Sequence, residues 1–126
     1  MAGFARSFRD LDVYNDALQA SVDIHEFCKK LPAGERYVLA DQMRRASRGV
    51  CSNISEAWRK RRYKAAFVSK LSDSEAEASE MQCWLDIGLK LAYMGRTMHE
   101  DFDQRYEKII GQLVRMIDHA DKWCRI

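Results

Sequence analysis

Helix breakers are scarce in this chain, which has one proline and six glycines in 126 residues. That leaves few places to turn and points to long helices joined by short links. No stretch approaches the roughly 20 apolar residues that a membrane-spanning helix needs. The opening MAGFARSFRD lacks the apolar core of a secretory signal, so a cytoplasmic protein without membrane association is expected. The four cysteines, Cys28, Cys51, Cys83 and Cys124, are widely spaced and form no C-x-x-C pair. A zinc framework is therefore not expected, and the thiols read as reduced and mostly buried. His25, His99 and His119 show no ligand spacing with one another or with cysteine. There is no phosphate-cradling glycine loop, no nucleophile–base–orienter set, and no Glu-x-x-His pair of the kind ferritin-like bundles use. The expected class is a non-enzymatic protein without metal or cofactor.

What the chain does have is helical periodicity. Leu11, Tyr14, Leu18, Ser21, Ile24 and Cys28 recur at three- and four-residue steps and predict a first helix over about 10–31. Ser7 and Asp10 offer a capping pair before it. Leu31 precedes Pro32, a junction that disfavours helix. Leu39, Met43, Ala46, Val50, Ile54 and Ala57 form the inner stripe of a second helix over about 35–59. In a third helix, over about 64–94, Phe67, Leu71, Ser74, Ala78, Met81, Leu85, Gly88 and Ala92 alternate steps of four and three without a slip. That is the heptad seam of left-handed bundle packing, with small members that admit a close neighbour. Trp84, Ile87 and Leu91 add a second apolar face. Gly95 suits the left-handed residue beyond a helix end, and Thr97 with Glu100 reads as a capping box. A fourth helix is expected over about 98–124, with Phe102, Tyr106, Ile109, Leu113, Ile117, Ala120 and Cys124 inward.

The boundary after the second helix carries no glycine or proline. A single helix from Glu35 to Met94 would span about 90 Å, too long for one compact domain of this size. Two helices hinged near Arg61 to Tyr63 fit better. The expected fold is all-α, one domain over 1–126, an antiparallel up-down-up-down four-helix bundle.

The formal charge of +2 conceals segregation. Residues 36–64 carry nine basic and two acidic groups, while each of the three remaining segments, 1–35, 65–97 and 98–126, is mildly acidic. Arg59, Lys60, Arg61, Arg62 and Lys64 are nearly consecutive, with Trp58 and Tyr63 beside them, and Arg44 and Arg48 extend the basic surface along the second helix. Such a cluster suits phosphates, with an aromatic neighbour to stack on an unpaired base. The alternative is a solvated turn whose charges serve solubility or pair with Glu75 and Glu77. Asn53 and Glu56 lie one turn apart on the second helix, with Gln42 and Arg45 on much the same side. Asparagine is a poor mid-helix residue, so a compensating hydrogen bond is expected. The four residues read as a structural polar network, in the bundle or at a subunit contact; the other reading is a polar site lined by Asn53 and Glu56.

Several of these residues carry a family resemblance. Phe8-Arg9-Asp10-Leu11, Val13-Tyr14, Glu35-Arg36-Tyr37, Asp41-Gln42, Arg44-Arg45-Ala46 and Asn53-Ile54-x-Glu56 run through most of the first two helices. Phe67, Leu71, Glu80, Leu85, Leu91 and Tyr93 continue the pattern in the third. The chain resembles the four-helix-bundle family of bacterial intervening-sequence proteins, some of which are encoded inside 23S ribosomal RNA genes. It departs from that pattern at Ala57, where a glycine is usual, at Gly49-Val50-Cys51, at Ala76-Glu77, and in a longer and more basic turn. The resemblance implies a cytoplasmic bundle that assembles into a ring-like homo-oligomer, a pentamer. The accessory proteins of diversity-generating retroelements look like the same fold, and they form basic pentamers that bind RNA and a reverse transcriptase. By that analogy the expected partners are further copies of the chain and a nucleic acid, RNA ahead of DNA. The alternative is a scaffold that binds another protein, with Trp84 and Trp123 as anchors.

Overall fold

The computed structural model describes residues 5–125. Four long helices, α1 (Asp12–Cys28), α2 (Leu39–Arg59), α3 (Lys64–Lys90) and α4 (Arg96–Asp118), are followed by one turn of helix, α5 (Ala120–Trp123). Short 3-10 turns at Phe8–Asp10 and Ala33–Glu35 precede α1 and α2. Consecutive long helices pack on one another, and α1 closes the bundle against α4. The fold is an all-α antiparallel four-helix bundle. The start of α1, the α2–α3 turn and α5 gather at one end, with the α1–α2 and α3–α4 loops at the other.

The core follows the α3 seam. Phe67, Leu71, Ser74, Ala78, Met81, Leu85 and Gly88 are all buried. Because Ser74 and Ala78 are small, α2 comes close enough for the Ser74 hydroxyl to donate to the Val50 carbonyl at 2.8 Å. A Cβ on Gly88 would lie 3.0 Å from the Met94 methyl, so its hydrogen leaves room for the side chain that plugs the top of the bundle. On the α1–α4 side, Arg105 reaches Asp23 at 2.9 Å and Lys108 reaches Asp16 at 3.5 Å.

Several sequence expectations are corrected. The first helix runs 12–28 rather than 10–31, because Ser7 and Asp10 cap the 3-10 turn instead. Their capping box is present: Asp10 Oδ2 accepts from the Ser7 amide at 3.1 Å. The buried face of α1 is Val13, Ala17, Ala20, Ile24, Phe27 and Cys28, and Leu18 is 42% exposed. The second helix starts at Leu39 rather than Glu35, after a 3-10 turn that Pro32 opens. Glu35 is occupied elsewhere: its carboxylate accepts from the Tyr93 hydroxyl at 2.8 Å, tying the two loops together. In the fourth helix, Met116 is buried in place of Ile117, and a break at His119 separates α5. The helix opens on Gly95 with no side-chain cap, so Thr97 and Glu100 form no capping box. Of the four free thiols only Cys28 is fully buried, and Cys83 is exposed. Burial lifts the half-buried Cys51 thiol to about 11.

The third helix ends at Lys90 rather than Met94, and its left-handed residue is Ala92, at φ 61°, not Gly95. The Tyr93 amide donates to the Gly88 carbonyl at 2.8 Å and the Ala92 amide to Leu89 at 3.0 Å. That paired bonding is a Schellman motif, which glycine usually completes. Alanine there bears a Cβ clash that glycine lacks. Ala92→Gly is therefore expected to raise the urea midpoint, by about 0.5–1 kcal/mol of stability at an unchanged m-value. Phe67→Ala, which empties the start of the seam, is expected to lower stability by about 3–5 kcal/mol in the same assay.

Candidate nucleic-acid interface

The basic turn is built where α2 stops. The chain leaves α2 at Lys60, whose amide donates to the Ala57 carbonyl at 2.9 Å, and re-enters helix at Lys64. Its five cations divide into two groups. Arg61 folds back over the buried Trp58, its guanidinium carbon 3.5 Å from the ring centroid. Its Nε donates to the Trp58 carbonyl at 3.0 Å, and partial burial lowers its pKa from the ordinary guanidinium value. Lys64 meets Asp121 of α5 at 2.7 Å. That contact raises the Lys64 pKa and lowers that of Asp121. Arg59, Lys60 and Arg62 are exposed, and no ion pair among the described residues engages them.

The aromatic neighbours divide too. Tyr63 is 66% exposed, whereas Trp58 is buried beneath Arg61 and is closed to a base. Trp58 is thus a core residue that anchors the turn, not the stacking platform its sequence position suggests. Glu75 and Glu77 form no ion pair with the turn among the described residues; Glu77 meets Arg45 instead.

Arg44 and Arg48 lie higher on α2, beside an open groove of about 590 Å³ lined also by Arg45, Gly49, Ser52, Asn53 and Glu77. The four polar residues singled out on this helix are not one network. Arg45 donates to Gln42 Oε1 at 3.0 Å and pairs with Glu80 and, at 3.6 Å, with Glu77. Asn53 Nδ2 donates back to the Gly49 carbonyl at 2.9 Å, so its compensating bond is local. Glu56 pairs separately with Lys70 at 3.5 Å. The glutamates that complete the Arg45 cluster come from α3, and no spacing in the sequence joins them to it.

Glu77 lies across Gly49, where a Cβ would stand 2.9 Å from its carboxylate. Its Oε2 is buried without a hydrogen-bond partner, as is Arg44 Nε. Burial raises the Glu77 pKa, and the charge of Glu80 adds to the rise against the pull of Arg45. Among the described residues no cluster of histidine, cysteine and carboxylate suited to a metal ion is present. No helix among the described residues is long and apolar enough to cross a membrane.

An antiparallel bundle with one basic helix and a charged α2–α3 turn defines the structural class. The chain belongs to the family described as 23S rRNA-intervening sequence protein, whose sequence pattern matches residues 9–115. It is also similar to a crystal structure from Bacteroides thetaiotaomicron, described as a protein with unknown function from the S23 ribosomal protein family. The two share 26% identity at a TM-score of 0.76, over 83% of this chain and 97% of that one. No curated protein matches the chain.

The divided turn predicts divided effects. Arg61→Ala is expected to cost about 1 kcal/mol of stability, from the lost stack and carbonyl bond, while Arg62→Ala stays within about 0.5 kcal/mol. Glu77 carries a pH signature. With its folded pKa raised, the folded protein keeps a proton that the unfolded chain has released, so this group's contribution is greatest in acid. It is lost as pH rises from the ordinary value of 4.5 through the raised folded one. Glu77→Gln is expected to shrink the fall in urea midpoint between about pH 4 and pH 7.

Proposed function

We propose that the chain is a non-enzymatic, oligomeric bundle protein of the cytoplasm that binds nucleic acid, RNA ahead of DNA. The observation that carries this reading is the set of free cations at the end of α2. Among the described residues Arg59, Lys60 and Arg62 have no carboxylate partner, and Arg48 continues their line. Arg48 and Arg59 are three turns apart, so they share a face of α2 about 16 Å apart. That spacing suits phosphates a few nucleotides apart on one strand. Arg61 and Lys64 contribute by holding the turn in shape. Assembly into a ring, a homopentamer by family resemblance, multiplies a modest basic patch by avidity.

A second reading is a scaffold for a protein partner. The end away from the basic turn favours it, since Tyr37, Val38, Ile87 and Leu91 are exposed there. Trp84, half-buried with its indole nitrogen lacking an acceptor, adds to that face of α3.

The test is a titration with single-stranded RNA and DNA across a salt series, with the mass in solution measured alongside. The variant Arg59→Ala/Lys60→Ala/Arg62→Ala leaves Arg61 and Lys64 in place, so the turn keeps its shape. Wild-type affinity is expected to fall steeply with salt, and the variant's log–log slope to be shallower by about 2. Affinity that is flat with salt, or unchanged in the variant, would overturn the reading. Partner binding that survives in the variant would favour the scaffold.

A further inference from the structure

Of the two aromatic rings at the basic turn, Tyr63 alone is accessible, since Trp58 is buried beneath Arg61. The Tyr63 backbone is held from both sides. Its amide donates to the Lys60 carbonyl at 2.9 Å, and its carbonyl accepts from the Phe67 amide at 2.9 Å. Phe67 is fully buried in the α3 seam, so this end of the turn is tied to the core. The bond from Tyr63 to Lys60 closes a four-residue turn, which brings those two residues within about 7 Å of each other at the backbone. Lys60 and Arg62 are exposed beside the ring, and Arg59 lies one residue before the turn. Glu56, one turn before Lys60, meets Lys70 at 3.5 Å, and Asp121 meets Lys64 at 2.7 Å. Each of those carboxylates is matched by a cation of its own, so the charge of Arg59, Lys60 and Arg62 is left uncompensated.

We propose that Tyr63 is the stacking platform of the nucleic-acid site, and that the site therefore takes a single strand in preference to a duplex. One unpaired base lies on the Tyr63 ring while the phosphates beside it meet Lys60 and Arg62. The inference rests on the nucleic-acid reading above and adds strandedness to it. Cations alone would favour a duplex, whose phosphates are the more densely spaced. A ring reverses that preference, because only an unstacked base offers its π-face to a side chain. The turn suits this use. A tyrosine has two side-chain torsions to fix, so it orders at small cost, and its backbone is already pinned. Every base has a π-face, so a site of this kind tolerates any sequence.

The experiment is a fluorescence-anisotropy titration of the full chain with an end-labelled RNA of about twelve nucleotides and mixed sequence, alone and annealed to its complement. Tyr63→Ala is expected to weaken the single strand by about tenfold, within the range of one base stack, and to leave the duplex within about twofold. Tyr63→Phe, which keeps the ring, should bind as the wild type does. The salt slope of Tyr63→Ala should match that of the wild type, because no phosphate contact is lost, which sets it apart from the variant that removes the cations. Its urea midpoint should not move, since the side chain is exposed. Single-strand affinity unchanged in Tyr63→Ala, or single strand and duplex weakened alike, would overturn the platform. Loss of affinity in Tyr63→Phe would overturn it too, by making the hydroxyl the contact. If Arg59→Ala/Lys60→Ala/Arg62→Ala still abolished binding in any of those cases, the nucleic-acid reading would stand without the stack. Binding of neither RNA by the wild type would overturn both.

Discussion

The close approach of α2 to α3 is the constraint on which the rest of the bundle depends. It rests on small side chains: Ser74 and Ala78 on the α3 seam, facing Val50 and its neighbours on α2. A buried hydroxyl can sit between two helices only if it finds an acceptor, and the Val50 carbonyl supplies one. With that pair fixed, α2 is held with one face against the core and the opposite face in water. Arg45, Arg48 and Arg59 of α2 are then exposed, and Arg44 is half-buried. The basic surface is therefore a consequence of core packing, which sets where on α2 its cations are borne.

The same packing explains why a run of similar cations is not a uniform patch. Arg61 is drawn down onto Trp58 because the indole closes the bottom of the core and still presents a ring face to the turn. Lys64 is claimed by Asp121 because α5 folds back across the start of α3. What remains outward is a subset, Arg59, Lys60 and Arg62. A turn that spends part of its charge on its own shape holds the backbone from which the rest project. This lowers the ordering cost of meeting a partner.

Much of the fold was legible in the sequence. The α3 seam reads straight from its heptads because its large members recur without a slip, and seven of its positions are buried. The first helix was misread by rotation. Its packed face includes Ala17 and Ala20, too small to weigh in an apolar pattern, whereas Leu18 and Val22 stand out in sequence and face water. The end of α3 was misread because glycine marks a left-handed residue only when the bonding requires it there. The bonding placed it on Ala92, where Tyr93 could both close the helix and reach Glu35. The basic turn was legible as charge but not as two groups of side chains, since Asp121 is far from it along the chain.

The segregation of charge has a consequence for motion rather than for contact. A molecule of formal charge +2 feels little net pull from a distant polyanion. Yet the positive excess is concentrated on α2 and its turn, while the other three helices are mildly acidic. Such a body has a dipole, and in an electric field it experiences a torque that its small net charge does not reveal. It would arrive already rotated, with α2 leading. Its rate of productive encounter would then depend on ionic strength far more than its isoelectric point suggests, because salt screens the orienting torque as well as the attraction.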